Sequence, residues 1–300
     1  MSTSEGSAAA VRAQARVAEA ARGRPGLPHE PLIRIRPEQK WLGVRPREVW
    51  AYRELLYLLM WRDLKARYKQ TALGAAWVVL QPVLSTLIFT VFMGTFIRVP
   101  SDGVPYPVFA YAGLLPWAFL SNSVLSGSHS IVASAHVINK VYFPRLLIPV
   151  SMVGVRLIDF VIASAVLIVL MAYYGIALTP GILLAPLLIA EVAALAVSLS
   201  ILTSAVNARY RDTGTALPVL LQLWMFASPV IYPSTVVPAR WRWAYDLNPL
   251  AGIIEGLRAC LFGRPLDWRA VALSAALTLA LLLCSVYVFR RMEEDFADMV

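Results

Sequence analysis

The sequence predicts an all-α integral membrane protein with six transmembrane helices, an N-terminal amphipathic interface helix and a half-membrane re-entrant helical hairpin before the last span. Three observations support this fold class. Hydrophobic residues make up 59% of the 300 residues and charged residues only 15%, whereas soluble domains average about 25% charged residues. The mean hydropathy is +0.65. The apolar residues also gather into runs of roughly 20, the length that crosses a bilayer as a helix.

The chain is basic, with 27 Lys and Arg against 18 Asp and Glu and a formal net charge of +9. Such a balance can indicate nucleic-acid binding, but here the basic residues flank the apolar runs. That placement is typical of contacts with anionic lipid headgroups and of positively charged cytoplasmic loops. We therefore expect membrane lipids, and no nucleic acid, as partners.

Composition changes along the chain and predicts four regions. The first is rich in Ala, Arg, Pro and Gly and has almost nothing from which to build a core. The predicted regions are a disordered cytoplasmic tail (1–46), an amphipathic interface helix (47–70), a six-helix transmembrane domain (71–291) and a short cytoplasmic tail (292–300).

The interface helix is predicted from spacing and side-chain type together. Leu55, Leu56 and Leu59 recur at helical spacing, and basic and aromatic side chains lie among them. This combination is typical of a helix lying at the membrane surface and not crossing it.

Six apolar runs are long enough to predict transmembrane helices. They cover about 73–97, 106–125, 146–173, 182–206, 215–232 and 268–289. A polar segment, 126–145, separates the second from the third. Lys and Arg of the short loops fall mainly on one face, which should be cytoplasmic. An even number of spans then places both termini in the cytoplasm.

The outer segment 233–267 is too long for a turn, and too short and polar to cross the bilayer. Its apolar residues nevertheless recur at helical spacing between Leu250 and Phe262. A half-membrane hairpin buried in protein satisfies both facts. Gly252 and Gly256 have the spacing that permits close contact between helices.

Three ionisable side chains lie inside predicted spans, where an unpaired charge is costly. Arg156 and Asp159 share one face of the third span, and Glu191 lies in the fourth. We expect Arg156 to bridge Asp159 and, directly or through water, Glu191. The alternative is an ion or proton relay.

Aromatic side chains are plentiful within the spans. Most such rings pack helices or anchor them at the interface, but rings can also stack on the faces of a sugar polymer. The candidates for an aromatic channel lining are Trp77, Phe89, Phe92, Tyr111, Trp117, Phe119, Trp224, Phe226 and Tyr232.

Motifs for nucleotide chemistry are missing from the sequence. It contains no GxxxxGK[ST], GxSxG or HExxH, and its three histidines and two cysteines have no metal-ligand spacing. We therefore predict no catalytic residue, no metal site and no cofactor in this chain. Energy for transport would come from an ion gradient or from another polypeptide.

A series of short motifs gives a resemblance to a known family. The motifs are Arg62-Asp63-Leu64-Lys65-Ala66-Arg67-Tyr68-Lys69-Gln70-Thr71, Leu80-Gln81-Pro82, Val141-Tyr142-Phe143-Pro144-Arg145, Asn207-Ala208-Arg209-Tyr210-Arg211-Asp212, Ser228-Pro229-Val230-Ile231-Tyr232, Leu247-Asn248-Pro249-Leu250 and Glu255-Gly256-Leu257-Arg258. Together they resemble the membrane subunit of ABC transporters that export O-antigen, capsule or teichoic-acid polysaccharides.

The resemblance implies a permease of the bacterial inner membrane that forms a homodimer and docks two copies of a separate ATPase subunit. ATP and Mg would be bound by that partner, and the substrate would be a lipid-linked polysaccharide. The resemblance places the ATPase contact on the interface helix and on the loop after the second span. The corresponding residues are Arg62, Lys65, Arg67, His136, Asn139, Lys140 and Arg145.

Two other functions remain open on the sequence alone. One is an ion-coupled secondary transporter or channel that uses Arg156, Asp159 and Glu191, although no inverted repeat is visible. The other is a membrane-embedded enzyme, although the loops hold no acidic or histidine cluster that would act as a base or hold a metal.

Overall fold

The computed structural model describes residues 51–69, 76–138 and 143–293, and the regular secondary structure of those residues is helical. The predicted tail 1–46 lies outside the described residues. The helices are α1 (Arg53–Lys69), α2 (Ala76–Phe89, continued as a π-helix over Thr90–Phe96), α3 (Tyr106–Ala133), α4 (Ala135–Ile138), α5 (Leu147–Tyr173), α6 (Ala185–Arg209), α7 (Thr213–Phe226), α8 (Arg242–Asp246), α9 (Pro249–Phe262) and α10 (Trp268–Glu293).

Within residues 51–69, 76–138 and 143–293, five helical segments are long and apolar enough to cross a membrane. They are Ala76–Phe96, Tyr106–Ala133, Leu147–Tyr173, Pro180–Arg209 and Trp268–Glu293. These segments are consistent with an integral membrane protein and coincide with five of the six predicted spans.

The predicted fifth span, 215–232, is not confirmed as a helix of that length. Helix α7 has 14 residues, or about 21 Å at 1.5 Å per residue, short of the roughly 30 Å hydrocarbon core. It ends before Ser228 and Pro229 because a residue that precedes proline is disfavoured in the helical conformation. The chain continues as turns through Tyr232.

Helix α3 lies at the centre of the bundle, with 78% of its most apolar window buried, against 11% for α2. It also continues past the predicted end at 125, so the expectation that a loop begins at Ser126 is wrong. Ser130 Oγ donates to the Gly127 carbonyl at 2.6 Å. Such a local bond satisfies a serine hydroxyl inside a helix, so a serine such as Ser130 is compatible with a continuous α3.

Helix α9 is mostly buried and packs on α10 and α6 through its two glycines. A Cβ at Gly252 would lie 2.7 Å from the Ala270 carbonyl oxygen, and one at Gly256 would lie 3.2 Å from Leu188. The close helix contact predicted from their spacing is confirmed.

Candidate functional site

Two polar clusters tie segments of the fold to the bundle, and the first connects α1 to α5. Leu59 is buried beneath α1, and a Cβ at Gly154 would lie 2.6 Å from the end of Met60. Tyr57 and Trp61 stand on the exposed side with stacked rings. Helix α1 therefore buries one apolar stripe against α5 and leaves Tyr57 and Trp61 exposed.

The Asp159 carboxylate is the centre of the first cluster, which we call the inner node (Arg67, Tyr68, Asp159, Arg156 and Ser126). Arg67 Nη1 donates to Asp159 Oδ2 at 2.5 Å, and the Tyr68 hydroxyl donates to Oδ1 at 2.6 Å. Two consecutive residues of α1 thus bind one carboxylate of α5.

Arg156 extends this node to the central helix. Its Nη1 lies 3.4 Å from Asp159 Oδ2, while Nε and Nη2 donate to Ser126 Oγ of α3 at 3.0 and 2.6 Å. The predicted pair of Arg156 with Asp159 is confirmed. The node therefore joins α1, α5 and α3 through side chains alone.

Tyr68 acts as a donor over the whole physiological pH range. Burial, reinforced by the hydrogen bond to Asp159, raises the pKa of Tyr68 to about 12. Its hydroxyl therefore remains protonated and can donate to the carboxylate.

The direct contact predicted between Arg156 and Glu191 is not found among the described residues, where Arg156 binds Asp159 and Ser126. Glu191 of α6 instead accepts a hydrogen bond from the Ser274 hydroxyl of α10. A nearby hydroxyl satisfies the carboxyl, and sequence position alone could not rank Ser274 above Arg156 as its partner.

A small cavity of about 40 Å³ adjoins the inner node. Its polar lining comprises Arg67, Arg156, Asp159, Gln81 and Asn122. Its apolar walls are Val78, Pro82, Leu115, Ala118, Phe119, Phe160 and Ala163.

The second cluster, which we call the outer node, surrounds Arg258 of α9, a residue only 2% exposed. Nη1 donates to the Pro229 carbonyl at 2.7 Å, and Nη2 donates to the carbonyls of Val230 and Phe109 at 2.8 and 3.2 Å. Glu255 lies 3.4 Å away as the counter-charge. Arg258 thereby satisfies carbonyls of the non-helical segment that follows α7, as buried backbone requires.

The guanidinium of Arg258 also lies over the Phe109 ring, 3.6 Å from its centroid. At Gly113 an added Cβ would lie 2.2 Å from the Val230 carbonyl oxygen. The segment after α7 therefore approaches α3 as closely as a glycine permits.

Asn248 and Tyr106 hold the same segment from its two sides. The Asn248 side chain caps α9 by accepting from the Leu250 amide, accepts from Trp224 Nε1 and donates to Ser228 Oγ at 2.7 Å. The Tyr106 hydroxyl of α3 donates to the Ile231 carbonyl at 2.8 Å.

The nine candidate lining aromatics separate into two groups. Tyr111, Trp117 and Phe119 are buried in the core, where the Tyr111 hydroxyl donates to the Ala163 carbonyl and Trp117 meets Trp224 edge-to-face at 6.0 Å. The structure places them as packing side chains. The others are exposed (Trp77, Phe92, Phe226) or half-buried (Phe89, Trp224, Tyr232).

The predicted ATPase-contact residues also differ in their surroundings. Arg62, Lys65 and His136 are exposed. Arg67 binds Asp159, and Arg145 Nη1 donates to the Glu293 carbonyl at 2.8 Å. Asn139 and Lys140 lie outside the described residues.

Sequence reasoning missed the roles of Tyr68, Ser126, Asn248 and Arg258. The usable signal was Arg258 itself, because a charged side chain within an apolar helix must find partners. Its partners could not be named, because Pro229 and Phe109 are far from it in the sequence.

The helices are consistent with an integral membrane protein, and comparison of the sequence with known proteins gives its family. Residues 54–262 match the ABC-2 type transporter family. The chain belongs to this family. Its long apolar helices and its bacterial relatives indicate a multi-pass bacterial membrane protein.

Individual relatives match almost over their full length. The O-antigen export system permease protein RfbA of Myxococcus xanthus is 32% identical over 258 residues, covering 85% of this chain and 98% of the relative. A protein of the same name from Klebsiella pneumoniae is 28% identical, covering 82% and 95%. The polysialic acid transport protein KpsM of Escherichia coli is 26% identical, covering 80% and 93%.

Proposed function

We propose that this chain is the transmembrane subunit of an ATP-binding-cassette exporter that moves a lipid-linked polysaccharide, such as O-antigen, across the inner membrane. The family and the names of its relatives support this proposal. ATP and Mg bind to a separate ATPase subunit, two copies of which dock onto a homodimer of this chain, and the chain itself holds no cofactor.

The inner node is the observation that carries the mechanism. An ATPase that pushes on α1 can move the spans only if α1 is tied to them. Arg67 and Tyr68 provide that tie by binding Asp159 of α5, and Arg156 extends it to Ser126 of α3. Displacement of α1 then reaches the central helix without passing through a loop.

We propose that exposed basic side chains form the docking surface for the ATPase subunit. Arg62 and Lys65 of α1 and His136 of α4 are exposed, so their charges and donors are open to a partner. Arg67 and Arg145 instead stabilise the chain itself, because both bind groups of their own chain.

The proposed membrane topology has six crossings with both termini in the cytoplasm. Helix α7 and the following segment to Tyr232 together make the fifth crossing. Helices α8 and α9 then form the re-entrant hairpin: the Asn248 side chain binds Ser228 Oγ next to α7, while Cys260 accepts from Thr179 in the loop between α5 and α6. Helix α9 thus runs from beside the end of α7 back to that loop.

The substrate path is proposed to run along exposed rings. Trp77 and Phe92 of α2 and Phe226 of α7 present 48% or more of their surface, and α2 is the least buried span. A second copy facing α2 would enclose these rings, and their faces would bind sugar without requiring a charge. Phe89, Trp224 and Tyr232 border the same path.

Deletion of the gene tests the role and the substrate together. We expect lipid-linked polysaccharide to accumulate inside the cell and to be lost from the surface, with export restored by the full chain. Unchanged surface glycans would contradict the proposed role.

Reconstitution tests the energy source. The tagged chain, purified from its own organism, should bring down an ATPase subunit and export polymer only with ATP. The double variant Arg62→Ala/Lys65→Ala should lose the ATPase, whereas its control Arg240→Ala/Arg242→Ala should retain it. Transport without ATP by a chain that binds no ATPase would favour the secondary transporter.

A further inference from the structure

Arginines are concentrated on the outer side of the proposed topology, where membrane proteins usually have few. Residues 233–269 contain five arginines and no lysine, whereas Lys and Arg normally favour cytoplasmic loops. Two of the five have partners within the fold. Arg258 binds the carbonyls of the outer node, and Arg264 Nη1 donates to Asp102 Oδ2 at 2.8 Å. Internal contacts therefore account for these two and leave the other arginines to be explained.

Arginine alternates with tryptophan where the chain enters α8. Arg240, Trp241, Arg242 and Trp243 are consecutive and exposed, the two rings by 55% and 65%; we call them the Trp–Arg segment (residues 240–243). Within the part of the chain that the structure describes, neither arginine makes a hydrogen bond or an ion pair, and Asp246 of α8 pairs with neither. The fold therefore leaves two cations and most of two rings to the surroundings.

Contacts with neighbouring loops place the Trp–Arg segment at the outer end of the bundle. Thr235 Oγ1, just before it in the chain, lies 3.5 Å from Asp102 Oδ1 in the loop between α2 and α3. Helix α8 contacts α10, whose first residue, Trp268, is 59% exposed. In the proposed topology this loop and the start of α10 face outward, so the segment and Trp268 share the outer membrane interface.

Tryptophan and arginine together suit the boundary between phospholipid headgroups and acyl chains. Tryptophan is enriched where a membrane meets water, because its ring is apolar and its Nε1–H is a donor. The arginine guanidinium binds phosphate through two N–H donors, and its stem lies along apolar groups. An interfacial segment rich in both residues is attracted to anionic lipids and buries its rings among them.

Exposed apolar side chains on both flanks favour a lipid over an acidic sugar polymer as the occupant. Val236 and Leu247, on either side of the Trp–Arg segment, are exposed by 51% and 53%. A hydrated acidic polymer would satisfy the arginines but leave these side chains in water, which is unfavourable. A phosphate layer above acyl chains satisfies the charged and the apolar side chains together.

We propose that the Trp–Arg segment binds anionic phospholipid headgroups in the outer leaflet of the membrane. Trp241 and Trp243 enter the boundary between headgroups and acyl chains, and Arg240 and Arg242 bind phosphates. The inference rests on the proposed topology, which puts this segment outside, and not on the substrate or on transport. The outer node then fixes the re-entrant hairpin to the bundle, and the Trp–Arg segment fixes it to the bilayer.

Brominated lipids measure which lipid contacts the segment. The full-length Ala239→Cys/Cys284→Ser chain keeps only the buried Cys260 of its own thiols, so a bimane label attaches at position 239. It is reconstituted in vesicles of phosphatidylcholine containing brominated phosphatidylglycerol or brominated phosphatidylcholine. Relative binding from quenching should favour phosphatidylglycerol at least about fivefold, the factor that one arginine near an anionic surface contributes. High salt should remove this preference, because exposed charges are screened.

Matched variants separate the arginines from the rings. Arg240→Gln/Arg242→Gln, with the same label, should lower the preference for phosphatidylglycerol to about one while keeping the quenching by phosphatidylcholine. Trp241→Ser/Trp243→Ser should weaken quenching by both lipids, because the segment loses its apolar contact. The control label, introduced by Leu183→Cys at a residue 81% exposed between α5 and α6, should be quenched equally by the two lipids.

Absence of lipid quenching at position 239 would overturn the proposal, whether the segment then faces water, a second copy of the chain or a polymer. Equal quenching by the two lipids would also overturn it. So would a preference that survives Arg240→Gln/Arg242→Gln, or an equal preference at position 183.

Labelling in cells tests the leaflet. A membrane-impermeant maleimide should label Ala239→Cys/Cys284→Ser in spheroplasts, and labelling confined to inverted vesicles would overturn the assignment to the outer leaflet. None of these measurements uses ATP, the ATPase subunit or polymer. Failure of lipid binding would therefore leave the proposed exporter role intact, and loss of export would leave this surface intact.

Discussion

The inner and outer nodes solve a similar problem with different chemistry. Each uses an arginine to attach a segment that helix packing alone does not hold. At the inner node, charged side chains bind one another across α1, α5 and α3, and Arg67 is 36% exposed. At the outer node, Arg258 is 2% exposed and binds mainly backbone carbonyls.

This difference indicates which of the two nodes can rearrange. The inner node is the more accessible of the two, because Arg67 is 36% exposed although Asp159 is only 12% exposed, and we expect it to rearrange more readily than the outer node. The carbonyls of Pro229 and Val230 are buried beneath Arg258, and leaving buried carbonyls unsatisfied is costly. We therefore expect the outer node to fix structure and the inner node to transmit motion.

Loss of Arg258 should have the largest effect. Arg258→Met keeps an apolar stem but removes the donors to Pro229 and Val230 and strands Glu255. We expect a loss of about 3–5 kcal/mol in the free energy of unfolding, measured by denaturant unfolding in detergent. Arg240→Met, at an exposed position between α7 and α8, is the control, and equal stability of the two variants would remove the contrast between the nodes.

Asp159→Asn should affect transport more than fold. It removes the charge that holds Arg67 and Arg156, and bonds to charged groups contribute about 1.5–3 kcal/mol. We expect a folded chain that still binds the ATPase subunit but exports polymer about tenfold more slowly. Asp246→Asn, at an exposed position of α8, is the control. Normal export by Asp159→Asn would show that the inner node does not couple.

Gly113→Ala tests the close approach at the outer node. The added Cβ would lie 2.2 Å from the Val230 carbonyl oxygen and 2.5 Å from Arg258 Nη2, which should cost about 1–3 kcal/mol through overpacking. Thermal unfolding should show a smaller effect for Gly256→Ala, because its nearest atoms are methyl groups of Leu188 at 3.2 Å. The reverse order would mean that the segment after α7 readily moves away from α3.

Tyr68→Phe measures one hydrogen bond of the inner node. Its loss should cost about 1 kcal/mol. With the pKa of Tyr68 raised from 10 to about 12, this contribution is fully present below pH 10 and falls as pH rises from 10 to 12. The stability difference between the two proteins should therefore stay constant from about pH 6 to 9, and a change within that window would contradict the assignment.

Glu191→Gln should have the smallest effect, because glutamine can keep the hydrogen bond with Ser274. We expect a change in stability of less than about 0.5 kcal/mol and normal export. A well-folded Glu191→Gln chain with no transport would instead support the ion relay. The control is Ser274→Ala, which removes the partner and leaves the carboxyl.

The sequence by itself determined the membrane class, five of the spans and the motifs that mark the family. These follow from local quantities, namely hydropathy over about 20 residues and short-range spacing. The pair of Arg156 with Asp159 could also be predicted from the sequence, since residues three apart share a helix face.

Only the tertiary structure decided the partners of the buried charges. Arg67 meets Asp159 across 92 positions of the chain and Arg258 meets the Phe109 carbonyl across 149, whereas Glu191 binds Ser274 and not the expected Arg156. A polar group inside a bilayer must find a partner, but its sequence position does not say which. Helix packing makes that choice, because it fixes which side chains come within hydrogen-bond distance.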